Sequence, residues 1–177
     1  YLKQFEFSQN YFMFFDKLEK SNYFLESIIR CADEPWDSRL VMHLLDDPIQ
    51  DGGQWHMFVN LIHKYGVVPQ TEMPESYQSS KSMRMNRMIA RKLREFAKSL
   101  RDSHAKGNTI KELRKIKKEM LGSIFQILTI SLGSPPASFD WQIRDKDKKF
   151  HRFEKLTPKT FFKRSEERRV GKECRSR

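Results

Sequence analysis

The chain has 177 residues, of which 38% are hydrophobic and 12% aromatic, so it is long and apolar enough to bury the core of one domain. This composition excludes an intrinsically disordered chain, and no apolar run in the sequence approaches the roughly 20 residues that a membrane span requires. Its two cysteines, Cys31 and Cys174, are too few for a secreted disulfide framework. We therefore expect a folded protein from a reducing compartment, without a membrane partner.

The formal net charge of +11 belongs to one segment of the chain. Lys81–Lys118 holds 14 Lys and Arg against three acidic residues, whereas the rest of the chain is neutral. Such a segment could bind nucleic acid or another polyanion with strong salt dependence. No helix-turn-helix spacing, aromatic stacking platform or Gly-rich RNA motif accompanies it, so a solvated helical face is the alternative interpretation.

The first predicted helix covers Phe7–Arg30, because apolar residues recur at three- and four-residue spacing behind Ser8, a good N-cap. Ser21 and Asn22 are poor helix formers at which this helix could be interrupted. Asp33-Glu34-Pro35 is expected to end it, since the residue before a proline avoids the α region.

Two shorter helices are predicted next along the chain. The first covers Asp37–Leu45, with Asp37 as its expected cap. The second runs from about Gln54 to Lys64 and stops at Gly66, where glycine can take a positive φ. Thr71–Ser82 is polar and contains a proline and four serines, which predicts a loop.

Two long amphipathic helices follow this loop. The apolar positions of the first helix are spaced by three and four residues, at Met85, Ile89, Leu93, Phe96 and Leu100. The second helix opens with a capping box formed by Thr109 and Glu112, and its apolar face runs through Ile110, Leu113, Ile116, Met120, Ile124 and Leu128. A short turn containing Gly107 joins the two helices, which predicts an antiparallel helical hairpin.

A β-hairpin is predicted near the end of the chain. Phe139–Ile143 alternates apolar with polar residues, Asp145–Lys148 has the composition of a turn, and Phe150–Phe153 returns. Thr157-Pro158 then marks the start of a last short helix.

The stretch Asp51-Gly52-Gly53-Gln54-Trp55 places two glycines directly before a helix. Glycine tolerates a positive φ and has no Cβ, so another backbone can lie close alongside it. An extended peptide that pairs with this main chain is one interpretation, and a tight entry into the helix is the other.

Several runs together carry a family resemblance. They are Phe5-Glu6-Phe7-Ser8-Gln9-Asn10-Tyr11, Asp51-Gly52-Gly53-Gln54-Trp55, Lys64-Tyr65-Gly66-Val67-Val68-Pro69, Met73-Pro74-Glu75-Ser76 and the segment from Leu132 to Lys148. In this order they resemble the papain-like cysteine peptidases, and most of all the bleomycin hydrolase and aminopeptidase C group. The resemblance covers Phe5 to about Lys163.

The resemblance implies an α+β papain-like parent fold, of which this chain is a mainly helical part with a helical-hairpin insertion and one β-hairpin. It implies that the backbone of Gly52 and Gly53 binds an extended peptide substrate, with Gln54 and Trp55 beside this subsite. A main-chain pairing of this kind requires that no side chain intervene, and glycine meets that requirement. His56 departs from the family pattern, and no role is assigned to it.

The resemblance further implies hydrolysis of peptide bonds by a Cys/His/Asn mechanism in a cytoplasmic thiol aminopeptidase that assembles as a homohexameric ring. The nucleophilic cysteine is expected before Tyr1, and the histidine and asparagine after Lys163, so we expect no catalytic residue in this chain and no activity from it alone. A non-catalytic paralogue and a polyanion-binding helical module are the alternatives.

No other catalytic or metal site is predicted. Cys31 is expected at a helix C-terminus beside two acidic residues, which raises the pKa of a thiol and argues against a nucleophile. His43, His56 and His63 lack the four-residue spacing of a helical zinc site, so neither a metal nor another cofactor is expected.

Four segments are predicted from this pattern. Residues 1–78 form the helical part of a papain-like domain, residues 79–133 a basic helical insertion, and residues 134–163 the β-hairpin with the start of the following helix. Residues 164–177 have no hydrophobic period and match one reading frame of a common sequencing-library adapter, which predicts a non-native tail. A basic disordered tail is the alternative interpretation.

Overall fold

The structure, a computed structural model, describes residues 6–49, 52–144 and 149–164. The elements in chain order are α1 (Gln9–Arg30), α2 (Arg39–Asp46), α3 (Trp55–Tyr65), α4 (Tyr77–Ser80), α5 (Met83–Ala105), α6 (Ile110–Leu132), β1 (Phe139–Arg144) and β2 (Phe150–Leu156). Residues 158–164 are helical as well. Helices with one antiparallel hairpin confirm the predicted α+β class. The predicted turn at Asp145–Lys148 and most of the predicted tail lie outside the described residues.

The chain divides into two compact units, each assembled from separated stretches. The described residues of Tyr1–Phe15, Gly53–Glu75 and Ser134–Arg177 form the first unit, and those of Asp16–Gly52 and Ser76–Gly133 form the second. Helix α1 therefore contributes residues to both units. The four segments predicted in chain order remain a prediction.

The second unit is built around the helical hairpin α5–α6. Its core consists of aliphatic side chains that are almost fully buried, namely Leu25, Ile28, Ile29, Val41, Ile89, Leu93, Leu100, Leu113, Ile124 and Leu128. The predicted capping box is present, because Thr109 N–H donates to Glu112 Oε2 at 2.8 Å and Glu112 N–H donates to Thr109 Oγ1 at 3.4 Å. Gly107 has φ +90° in the turn between the helices. The periodicity of the apolar residues thus predicted this hairpin correctly.

The first unit carries the β-hairpin and the chain that follows it. β1 and β2 pair antiparallel, with Trp141 opposite Phe153 in the register. Phe161, from helical residues 158–164, is 3% exposed and lies edge-to-face against Trp141, with ring centroids 5.0 Å apart. Thr160 N–H donates to Thr157 Oγ1 at 3.2 Å, which confirms the predicted start of this helix. The aromatic rings therefore pack the hairpin against the segment that follows it.

Three local predictions were wrong. Helix α1 continues through Ser21, whose hydroxyl donates to Lys17 O at 2.7 Å and is thereby satisfied inside the helix. The cap of α2 is Ser38 rather than Asp37, since its side chain accepts from Val41 N–H. The loop before α5 contains the one-turn helix α4, which Ser76 and Ser79 cap reciprocally. In each case a serine hydroxyl found a backbone partner that composition alone did not specify.

Among the helices that the structure describes, none combines the length and the apolar character needed to span a bilayer.

Candidate functional site

The candidate subsite begins at the N-terminus of α3. Gln54 is extended there, with φ −97° and ψ 154°, and its side chain makes no capping hydrogen bond. Trp55 is 77% exposed, and its ring lies 5.7 Å from that of Phe58, which in turn lies 4.8 Å from Phe12. Phe58 is half-buried and packs beside the Trp55 ring, while most of the indole stays exposed to solvent. Trp55 is thus displayed as an apolar surface at this helix end.

Neither glycine of the pair is required by the local backbone. Gly52 and Gly53 are exposed, and neither has a positive φ. A Cβ added to either glycine would meet nothing within 4 Å. A tight entry into the helix, the alternative interpretation of this pair, is therefore not what requires glycine at these positions. An exposed main chain without side chains remains at both positions, Gly52 in the second unit and Gly53 in the first.

Gly66 is the glycine that packing does require. It has φ +79°, and its N–H donates to Ile62 O at 2.7 Å, so it ends α3 as predicted. A Cβ at this position would lie 2.3 Å from the carbonyl carbon of Pro158. The next residue, Val67, donates its N–H to Pro158 O at 3.1 Å. Two main chains therefore approach each other at Gly66 more closely than any side chain would permit.

Two motifs far apart in the sequence meet at the start of α1. Ser8 Oγ donates to Met73 O at 2.5 Å. The Asn10 side-chain amide donates to Pro74 O at 2.8 Å, and its backbone N–H donates to Glu75 Oε1 at 3.1 Å. Ser8 also caps the helix, since it accepts from the N–H three residues on. Both motifs were identified in the sequence, but their pairing was not predicted, because no pattern of neighbouring residues indicates a contact between segments so far apart.

Tyr11 holds the end of α3 by a second contact. Its hydroxyl donates to Tyr65 O at 2.9 Å, and burial raises its pKa to about 12. A phenol with this pKa stays neutral at physiological pH and acts as a hydrogen-bond donor. Tyr11 therefore positions the main chain before Gly66 and is not an acid or base for catalysis.

In the second unit, an arginine holds the C-terminal end of α2. Arg94 on α5 donates from Nε to Leu45 O and from Nη2 to Asp46 O, each at 2.7 Å. These carbonyls form the C-terminal end of α2. Ile49, three residues beyond Asp46, is 5% exposed. No sequence pattern predicts this role, because Arg94 is one of 14 cations in the segment Lys81–Lys118.

Cys31 is a buried structural thiol. It is 5% exposed, and Sγ donates to Ile28 O at 3.7 Å. Desolvation by burial is the main cause that raises the pKa of its thiol, while the charge of Arg101 opposes this effect and that of Glu34 adds to it. The predicted direction is confirmed, although burial rather than neighbouring acids is the main cause. No activated nucleophile results.

Part of the basic segment Lys81–Lys118 is engaged with its own unit. At least six of its cations have partners in the described chain: Lys92, Arg94, Lys98, Arg101, Arg114 and Lys117. Arg84, Arg87 and Arg91 are exposed on α5 at spacings of three and four residues. The charge free to meet a polyanion is therefore smaller than the sequence suggests.

His43, His56 and His63 are exposed. Within the described ranges, no three His, Cys, Asp or Glu side chains come together in a way that could hold a metal ion.

Comparison with known proteins gives a consistent result. A protein-family model described as the Peptidase C1-like family matches residues 1–170. The chain is 51% identical over 163 residues to aminopeptidase C of Listeria monocytogenes and 43% identical over 163 residues to bleomycin hydrolase of Gallus gallus. These matches cover 92% and 91% of this chain, and 36% of each relative. The chain thus spans about a third of the length of these relatives.

A solved structure agrees with this result. The crystal structure of PepW from Lactobacillus rhamnosis matches with a TM-score of 0.87 and 49% sequence identity. The match covers 92% of this chain and 36% of that one.

Proposed function

Because this chain belongs to the Peptidase C1-like family, we propose that it is an internal segment of a cytoplasmic cysteine aminopeptidase similar to aminopeptidase C and bleomycin hydrolase. The observation that carries the proposal is 51% identity to an aminopeptidase C across 92% of the chain. The contacts between Ser8 and Met73 and between Asn10 and Glu75 support it, since two motifs of the resemblance depend on each other. The whole protein hydrolyses peptide bonds by a Cys/His/Asn mechanism.

In this proposal the segment supplies substrate binding and leaves bond cleavage to residues elsewhere in the protein. Gly52 and Gly53 offer exposed backbone groups to an extended peptide, while Gln54 and Trp55 flank them. The exposed indole of Trp55 provides apolar contact area for the peptide. The nucleophile, its histidine base and the asparagine that orients the base come from other parts of the protein, so the segment alone is inactive. The whole enzyme assembles as a homohexameric ring.

The first experiment is long-read sequencing of the transcript through the codons for Tyr1 and Lys163. We expect reads that extend upstream into a G-x-C-W motif and downstream to a histidine and an asparagine, after which the full-length protein should hydrolyse aminoacyl amides. A start codon near Tyr1 with a stop directly after Arg177 would contradict the proposal. The non-catalytic paralogue would then be the better account.

The substrate role of the glycine pair is tested in the full-length enzyme by Gly53→Val. A side chain there blocks the approach of a peptide backbone, so we expect KM to rise about tenfold with kcat within about twofold. The surroundings of Gly53 are open, so the thermal midpoint should not change. Gly122→Ala, at an exposed glycine of α6 that is equally open, is the matched control. An unchanged KM for Gly53→Val would remove the glycine from the subsite.

A further inference from the structure

The connection between α1 and α2 displays a tryptophan among acidic side chains. Trp36 is 47% exposed. Three acidic residues of the same connection are exposed as well, namely Asp33, Glu34 and Asp37. The carboxylates of Glu34 and Asp37 make no ion pair with the described residues. Residues 33–37, called the Trp36 loop below, therefore offer one apolar ring surrounded by negative charge.

Helix α5 holds the Trp36 loop in place. The guanidinium carbon of Arg101 lies 4.3 Å from the centre of the Trp36 ring, and the same side chain donates to Glu34 O. His104, three residues further along α5, bonds through Nε2 to Asp33 Oδ1 at 2.7 Å. Arg101 is only 8% exposed, so the core of the unit fixes its side chain. The loop is thereby preorganised, which lowers the entropy cost of binding through it.

The first half of α5 presents the opposite chemistry. Three exposed arginines follow each other there at spacings of three and four residues, namely Arg84, Arg87 and Arg91. None of them has an ion-pair or hydrogen-bond partner among the described residues. Met88 is 58% exposed and lies four residues after Arg84 and three before Arg91, so it is their neighbour on the helix surface. These four residues, called the arginine patch below, place one apolar side chain among positive charges.

The Trp36 loop and the arginine patch are complementary. Each has a large apolar side chain at its centre, Trp36 in the loop and Met88 in the patch, and three charges of opposite sign surround the two centres. Guanidinium groups bind carboxylates through two parallel hydrogen bonds, and a thioether packs favourably against an aromatic ring. Tryptophan and arginine are also the residues that carry most binding energy at protein interfaces. Each surface therefore offers the groups that the other binds.

A single chain does not bring these two surfaces together. Both belong to the second unit, and α5 carries the patch while it also holds the loop. Arg101, which stacks on Trp36, lies 13 residues after Met88, a separation of about 20 Å along a helix. The contact therefore requires a second copy of the chain. Because the two surfaces differ, such a contact is head-to-tail, the type that closes into rings.

We propose that the Trp36 loop of one copy docks on the arginine patch of the next copy. This inference rests on the proposed function, in which the whole enzyme assembles as a ring, and it names surfaces through which neighbouring subunits meet. Trp36 packs on Met88 at the centre of the contact. The carboxylates of Glu34 and Asp37 accept from the arginines, while Asp33 keeps its bond to α5.

The test measures the oligomeric state of the full-length protein by sedimentation velocity over a range of concentrations. Glu34→Arg with Asp37→Arg reverses the charge of the loop, and Arg87→Glu with Arg91→Glu reverses that of the patch. We expect each double variant to raise the dissociation concentration of the assembly at least about 100-fold, because like charges then face each other. The quadruple variant should assemble within about tenfold of the wild type, since both surfaces are reversed.

A second measurement uses an equimolar mixture of the two double variants. It should assemble as well, because each reversed surface finds its counterpart on the other variant. The matched control is Lys111→Glu with Lys115→Glu, which reverses two exposed cations of α6 at the same four-residue spacing as Arg87 and Arg91. This control should assemble like the wild type.

Three results would overturn the proposal. The first is assembly of either double variant at wild-type concentrations. The second is a quadruple variant and a mixture that both stay dissociated, since the two surfaces then do not meet each other. The third is a wild-type protein that remains a monomer. Peptide hydrolysis by the wild type is measured separately, so an assembled but inactive protein would contradict the proposed peptidase function and leave the subunit contact standing.

Discussion

At the scale of single residues, the glycines of this chain differ in the structural constraint that requires glycine at each position. Gly66 and Gly107 both have a positive φ, +79° and +90°. A Cβ would meet the Pro158 backbone at Gly66 and nothing at Gly107. Gly52 and Gly53 have neither constraint, so any demand for glycine there comes from outside the described chain.

This difference predicts unequal costs of the same substitution. Gly107→Ala should lower the free energy of unfolding by about 1–2 kcal/mol, the cost of a positive φ for an L residue. Gly66→Ala adds a backbone clash that flexible side chains cannot relieve, so its cost should reach about 4 kcal/mol or more. Chemical denaturation of the full-length protein measures both values. Equal costs would show that the contact with Pro158 relaxes freely.

At the scale of elements, one carboxylate links α1 to α6 within the second unit. Glu26 on α1 accepts from Arg114 Nη2 at 2.6 Å and from Lys117 Nζ at 2.7 Å, both on α6. Its side chain is 17% exposed. The bond from Arg114, and then that from Lys117, lowers the pKa of Glu26 from its ordinary 4.5 to about 2. The bonds from Arg114 and Lys117 therefore stabilise the ionised form of the Glu26 carboxyl group.

The lowered pKa predicts how stability depends on pH. A carboxyl group with a depressed folded-state pKa stabilises the fold above its unfolded pKa, so the contribution of Glu26 is complete above about 4.5 and is lost as the pH falls toward about 2. Glu26→Gln should therefore cost about 1–2 kcal/mol at neutral pH, with the difference from wild type vanishing near the lower pKa. Urea unfolding across this pH range measures the effect.

The control for this prediction is Glu119→Gln, at an exposed acid on α6 that makes no ion pair with the described residues. It should leave the unfolding free energy within about 0.5 kcal/mol of wild type at every pH tested. A pH-independent cost for Glu26→Gln would mean that packing, rather than charge, links the two helices.

At the scale of the whole molecule, fewer cations are available to bind an external polyanion than the formal net charge suggests. Partners within the second unit occupy at least six of the 14 cations in Lys81–Lys118. Arg101 is buried, and Glu26 neutralises part of α6. Arg84, Arg87 and Arg91 are exposed and lie at three- and four-residue spacing along α5, so they could contact a polyanion together.

This distribution predicts weak binding of single-stranded nucleic acid. If three arginines contact phosphates, the slope of log K against log salt should be about −2, whereas 14 free cations would give about −10. Fluorescence anisotropy with a random oligonucleotide at several salt concentrations measures the slope. Replacing Arg84, Arg87 and Arg91 together by Glu should abolish the binding. A slope near −10 that survives this replacement would favour the polyanion-binding module.

The sequence by itself determined the features that depend on neighbours a few residues away. The apolar spacing of α5 and α6, the capping box at Thr109 and the helix stop at Gly66 are all short-range, because helix periodicity and capping act within about one turn. The family followed from short motifs in the right order. The same local reading failed at Ser21, whose hydroxyl donates to Lys17 O inside α1, and at Ser38, whose side chain accepts from Val41 N–H and caps α2.

Only the tertiary structure decided which distant residues meet. Asn10 and Glu75 are 65 positions apart, Arg94 and Leu45 are 49 apart, and Glu26 and Lys117 are 91 apart. In the sequence, each of these side chains looks like an ordinary solvated polar group. The sequence does not indicate which polar residues will pair, because any cation can bond any acceptor that folding brings near it. Folding chooses among these pairings by bringing particular backbones together, and that choice depends on the packing of the whole core rather than on the residues that form the bond.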